Sequence, residues 1–125
     1  MIILVRASSA YLRLMINFEG MFTKNHSLMQ FLLVAYDGTD PYALERRMKI
    51  RPEHLEKVAV LKKQGNFLFG GAILDDKQTM IGSMIVYEFP DRKTLDEYLK
   101  DEPYITGGVW QKIEIRPYRL AQINT

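Results

Sequence analysis

Phe31-Leu32-Leu33-Val34-Ala35-Tyr36 is an unbroken apolar run, and Asp37-Gly38 stops it. Its length and its turn-forming end predict a strand. Asp40-Pro41 then opens a helix, with Asp40 as N-cap and Pro41 at the first helical position. Helical spacing continues through Leu44, Met48, Leu55, Val58 and Leu61 and ends at Gly65, a left-handed terminator. Pro52 lies inside this stretch and predicts a kink or break near Ile50–Arg51, because proline lacks a donor and crowds the preceding turn. Asn66 to Leu74 reads as a second strand, in which Gly70-Gly71 mark a bulge or a close backbone approach. After the polar turn Asp75-Asp76-Lys77-Gln78 comes a third strand, Met80 to Phe89. Pro90-Asp91 starts a second helix with Leu95, Tyr98 and Leu99 on one face; residues 101–108 are irregular, and Trp110 to Tyr118 is a fourth strand.

The order is βαββαβ, without repeat or internal linker. That is the α+β, ferredoxin-like plan: a four-stranded antiparallel sheet with two helices on one face. Strands one to three carry large apolar residues at both parities, as in Phe31/Leu33 against Leu32/Val34 and Met84/Val86 against Ile85/Tyr87. Two helices cover one face of such a sheet, so the other must meet something. A second copy of the sheet is the favoured cover, which makes the protein a homodimer through its sheet faces. The N-terminal arm is the competing cover.

Composition narrows the class. The 125 residues are 47% hydrophobic and 26% charged, enough for one domain with a packed core. A net charge of +2 is too small for a nucleic-acid footprint. The absence of Cys removes disulfides, thiolate nucleophiles and Cys-based metal sites, and fits a cytoplasmic protein. No apolar run approaches the ~18 residues of a membrane span.

Residues 1–28 read differently from the rest. Met1-Ile2-Ile3-Leu4-Val5 is apolar, and Arg6, Arg13 and Lys24 stand against Glu19 with scattered Ser. The expectation is an N-terminal extension over 1–28, an appended start or loosely held arm, with weak organellar targeting as the competing reading. The ferredoxin-like domain then spans 29–125.

Chemistry has few candidates. His26 lies in the extension; His54 lies on helix one, where Arg47, Arg51 and His54 fall at i, i+4 and i+7 on one stripe. Two guanidiniums beside an imidazole suit a small anion such as a carboxylate or phenolate. The alternative is a solvated face on which the arginines pair with Asp40, Glu45 or Glu53. Asp101-Glu102-Pro103-Tyr104 precedes Gly107-Gly108, and a carboxylate there can orient the imidazole of His54. The alternative is a loop whose acids face water. Ser83, after Gly82, offers a hydroxyl without the G-x-S-x-G elbow of a serine hydrolase. Neither a phosphate loop nor metal-ligand spacing occurs, so no cofactor and no metal are expected.

Leu44-Glu45-Arg46-Arg47, Arg51-Pro52-Glu53-His54-Leu55, Gly65, Gly70, Gly82-Ser83, Asp101-Glu102-Pro103-Tyr104, Gly108-Val109 and Pro117-Tyr118 together resemble the YciI-like (YCII-related) family. The likeness runs over about residues 30–119. It implies a dimeric α+β barrel, two ferredoxin-like subunits with sheets face to face, and a pocket marked by a His and an Asp that suggests an enzyme. On this likeness the His is His54, the paired arginines are Arg47 and Arg51, and the Ser is Ser83. The family's Asp stands directly before the Pro, whereas here that position is Glu102 and Asp101 comes one earlier. The family includes members similar to a dehydrochlorinase of chlorinated hydroxyquinols.

Two functions follow. One is a cofactor-independent lyase- or isomerase-type enzyme acting on a small cyclic or aromatic anion. His54 is then the base, Asp101 or Glu102 its orienting acid, and Arg47, Arg51, Ser83 and Tyr104 the binding residues. The other is a non-catalytic dimer that binds a small anion. An RNA-binding role shares the topology, but Gly82-Ser83-Met84-Ile85-Val86-Tyr87 lacks the leading base and stacked aromatics it requires.

Overall fold

The structure, a computed structural model, describes residues 28–124. The expectation for the N-terminal extension lies outside the described residues. Strands β1 (Met29–Asp37), β2 (Phe67–Leu74), β3 (Met80–Phe89) and β4 (Trp110–Tyr118) pair in the order β2-β3-β1-β4, every pair antiparallel. The helices are α1 (Ala43–Lys63), α2 (Arg92–Leu99) and a short α3 (Pro103–Thr106). This is the expected ferredoxin-like α+β fold.

Strand parity decides what meets the helices. Phe31, Leu33 and Ala35 of β1 lie in register with Tyr87, Ile85 and Ser83 of β3. All six are buried, and the apolar ones join Leu61, Leu95, Leu99, Tyr104 and Trp110 in the core. The alternate positions, Leu32, Val34 and Tyr36, lie beside Val86, Met84 and Gly82 on one side and Arg116, Glu114 and Lys112 on the other. The open face is therefore apolar along the central strands and charged along β4.

Helix α1 departs from expectation in three ways. It begins at Ala43, because the Asp40 carboxylate accepts from the Tyr42 N–H at 3.1 Å and holds the preceding residues in a turn. It runs unbroken through Pro52. Pro52 and Met48, whose carbonyl loses its donor there, are both exposed, so water can serve the freed oxygen. Its buried residues are Arg47, His54 and Leu61, whereas Leu44, Met48 and Leu55 are more than 40% exposed. The polar stripe faces inward and most of the apolar one faces out.

The ends follow local chemistry more closely. Gly65 closes α1 at φ 85°, with the Gly65 and Asn66 amides donating to Lys62 and Leu61. Asp91 caps α2, accepting from the Thr94 N–H at 2.8 Å. Gly70 marks a close approach, since a Cβ there would lie 2.6 Å from the Met84 carbonyl oxygen. The register shifts of β2 fall instead between Phe67 and Phe69 and between Ile73 and Leu74.

Candidate active site

Proline at the first turn and a side-chain acceptor just before it turn residues 103–106 into α3, where an irregular segment was expected. Glu102 is the N-cap, and its Oε2 accepts from the Tyr104 N–H at 2.9 Å. The same oxygen accepts from His54 Nδ1 at 2.7 Å, and Oε1 accepts from the Tyr98 hydroxyl at 3.1 Å. Glu102 is wholly buried. Three donors on two oxygens match an ionised carboxylate, which can only accept. That geometry assigns the hydrogen of His54 to Nδ1 and leaves the lone pair on Nε2. Of the two acids expected near the imidazole, the structure brings Glu102 to it; Asp101 is exposed.

Aromatic rings fix the plane of His54. Tyr104 stacks on it at 3.9 Å between centroids and 13° from parallel, and Trp110 meets it edge-on at 6.0 Å.

Arg47 is only 2% exposed. Its Nη1 donates to both oxygens of Asp37 at 3.1 Å, and its Nη2 donates to Ser83 Oγ at 3.0 Å. Ser83 also accepts from Trp110 Nε1 at 3.1 Å. The guanidinium carbon lies 4.7 Å from the centroid of the Tyr104 ring. Arg47 is thus paired, as the alternative reading held, but with Asp37 rather than Asp40, Glu45 or Glu53. Asp40 pairs with Arg46. Asp37 reads in the sequence as a turn marker; its parity with Phe31, Leu33 and Ala35 is the signal that points it inward. Burial pushes the Asp37 carboxyl above its usual range, against the pull of the Arg47 charge.

Arg47, His54, Ser83 and Tyr104 line one cleft of about 90 Å³ between α1 and β2, with Arg51, Leu55, Val58, Phe67, Ile85 and Gly70-Gly71-Ala72 completing its walls. Small residues on β2 keep it open. Arg51 is half-buried and makes no ion pair or hydrogen bond among the described residues. The Tyr104 phenol is held above its ordinary value by burial, while Arg47 and Arg51 pull it down. The cleft therefore sets the imidazole of His54 beside the Arg51 guanidinium and the hydroxyls of Ser83 and Tyr104. Both directions in which Ser83 accepts are taken by Arg47 and Trp110, so its own hydrogen remains to donate. Such a site suits a small oxyanion with one abstractable proton. Among the described residues no group of three or more His, Asp and Glu side chains converges to hold a metal, and no helix is long and apolar enough to cross a membrane.

Protein YciI of Escherichia coli O6:H1 is 26% identical over 97 residues, covering 73% of this chain and 97% of its own. An uncharacterized protein of Haemophilus influenzae is 25% identical over the same coverage. The fold is similar to that of 5-chloro-2-hydroxyhydroquinone dehydrochlorinase from Burkholderia phenoliruptrix AC1100, solved with 2,5-dihydroxybenzoquinone. The TM-score is 0.64 at 21% identity, over 74% of this chain and 96% of that one. The family model of the YCII-related domain matches residues 29–119, from the first residue of β1 to just past β4. The sheet, the inward polar stripe of α1 and the α3 cap all fall within that match, and the chain belongs to the YCII-related domain family.

Proposed function

We propose that the protein is a cofactor-independent enzyme of lyase or isomerase type, acting on a small cyclic or aromatic anion. The observation that carries this reading is the buried His54–Glu102 pair, which puts a carboxylate on Nδ1 of an imidazole that lines the cleft beside Arg51, Ser83 and Tyr104. His54 takes a proton from the bound molecule, a step in which a positioned base contributes roughly 10²–10⁴ in rate. Glu102 keeps the tautomer and stabilises the imidazolium as it forms. Arg51 holds the anion, because the charge of Arg47 is already answered by Asp37. Ser83 and Tyr104 donate to the oxygen on which charge develops. The dehydrochlorinase of similar fold, which binds 2,5-dihydroxybenzoquinone, supports a cyclic polyoxygenated ligand. The working unit in this reading is a cytoplasmic homodimer joined through the sheet faces turned away from the helices, where half-buried Leu32, Val34 and Met84 surround the buried Val86.

The test begins with a thermal-shift screen of small cyclic acids, phenols and quinones, followed by incubation with each stabilising compound and analysis of what is recovered. A product formed by the native chain and not by His54→Ala, with both melting at nearly the same temperature, is the expected result. A ligand recovered unchanged throughout makes the protein a binding module. Equal loss of stability and turnover makes His54 structural.

A further inference from the structure

Glu102 is wholly buried, and two of its three donors belong to its own functional neighbourhood: the imidazole it orients and the helix it caps. The third does not. Tyr98 reaches Glu102 from α2, and it lines no part of the cleft. It borders a separate groove with Glu56, Lys57, Val60, Leu61 and Gln64 of α1 and the residue after it. A ligand in the cleft therefore has no contact with Tyr98, yet the Tyr98 hydroxyl occupies the one carboxylate oxygen that His54 leaves open.

We propose that Tyr98 is the third member of the His54 relay, a positioning residue whose hydroxyl holds Glu102 Oε1 and through it sets how strongly Glu102 Oε2 draws on His54 Nδ1–H. The inference rests on the reading of His54 as the base and adds a residue that neither spacing nor family likeness singles out. Two further observations support it. Burial and the charge of Glu102 hold the Tyr98 phenol well above its ordinary range, so it stays a donor wherever the protein is folded. Tyr87, from β3, also lies within electrostatic reach of Glu102, and its ring centroid is 5.9 Å from that of Tyr98. Its buried hydroxyl makes no hydrogen bond in the structure. Of the two phenols behind the carboxylate, Tyr87 buried and Tyr98 half-buried, only Tyr98 is bonded to it. Arg47, Arg51 and Tyr104 lie on the cleft side, and Glu56 and Lys57 border the groove on the Tyr98 side.

The physical consequence has a definite sign. A donor on one carboxylate oxygen withdraws charge from the other. Removing the Tyr98 hydroxyl makes Oε2 a stronger acceptor, and a stronger donor at position 98 makes it a weaker one.

The test reads the His54 Nδ1–H proton by NMR in four proteins: native, Tyr98→Phe, Tyr87→Phe and a chain with 3-fluorotyrosine at position 98 alone. His26 is replaced by Gln throughout so that one imidazole remains. The expected result is a downfield shift in Tyr98→Phe, an upfield shift with 3-fluorotyrosine, whose phenol is more acidic, and no shift in Tyr87→Phe. An unchanged resonance in both position-98 proteins overturns the proposal, as do shifts in the same direction; a lower melting temperature without the paired shifts makes Tyr98 a packing residue. If Tyr98→Phe does not fold, the fluorinated chain alone decides, by moving the resonance upfield or leaving it in place. This readout needs no substrate, so it stands apart from whether the protein turns one over.

Discussion

One oxygen of Glu102 does two tasks for two elements. Oε2 accepts from the Tyr104 amide and so starts α3, and it accepts from His54 Nδ1 and so orients the imidazole of α1. The residue that begins the local structure is the one that orients the imidazole. Stability and chemistry are coupled at this atom.

Glu102→Ala removes the acceptor of three donors, one of which, the Tyr104 N–H, is the α3 cap. With each lost buried partner worth about 1–3 kcal/mol, and partial relaxation, the variant should lose on the order of 3 kcal/mol. Glu102→Asp, one methylene shorter, should lose less, because it can retain the cap while giving up either His54 or Tyr98. Urea unfolding of the three proteins, with the slope checked for constancy, measures both.

Among the described residues Arg51 makes no ion pair or hydrogen bond. Arg51→Ala should therefore unfold at nearly the native denaturant midpoint, while an anionic ligand of the cleft binds 10- to 100-fold more weakly, for a charged hydrogen bond of roughly 1.5–3 kcal/mol. Calorimetric titration alongside urea unfolding separates the two effects. A large stability loss with unchanged binding would assign Arg51 to the scaffold.

Asp37 makes a prediction about pH. Its carboxyl sits above the usual 3.8 because burial outweighs the attraction of Arg47. A raised folded-state value means the folded chain binds this proton more tightly than the unfolded one. The contribution of Asp37 is then fully present below 3.8 and is lost as pH rises through the raised value. The stability of the native protein relative to Asp37→Asn should accordingly fall with rising pH above 3.8 and level off once the carboxyl has ionised. Parallel urea melts across that window check the slope; a difference that grows with pH would contradict it.

Two glycines should behave in opposite ways. A Cβ on Gly82 would collide with the Ala35 carbonyl oxygen across the β1–β3 pairing, and neither strand can yield without disturbing the sheet centre. Gly82→Ala should cost about 1–3 kcal/mol or more. A Cβ on Gly71 meets nothing within 4 Å. Gly71→Ala should be neutral or stabilising by roughly 0.4–1 kcal/mol, through a less flexible unfolded chain. Thermal melts of both variants decide this.

The pattern of residues was sufficient for the strands, the order of elements and the antiparallel plan, because alternation, turn chemistry and terminators act within a few residues. Gly65 closes its helix and Asp91 caps its own as that chemistry requires. The same local rules failed on α1. Counting apolar positions put Leu44, Met48 and Leu55 inside, yet Arg47 and His54 take the buried stripe. An apolar count cannot register a guanidinium whose burial is compensated by Asp37, ten residues away on another element.

Sequence by itself determined which side chains were available: a His in the folded domain, two arginines in step with it, an acid before a proline and a serine on β3. Tertiary structure alone decided their partners. It chose Glu102 over Asp101, because the cap of α3 turns the first inward and leaves the second in water. It paired Arg47 with Asp37, gave Arg51 no ion pair among the described residues, and brought Tyr98 to the back of the carboxylate. The reason is that a buried charge is tolerated only where donors from several elements converge on it, and that convergence is a property of packing.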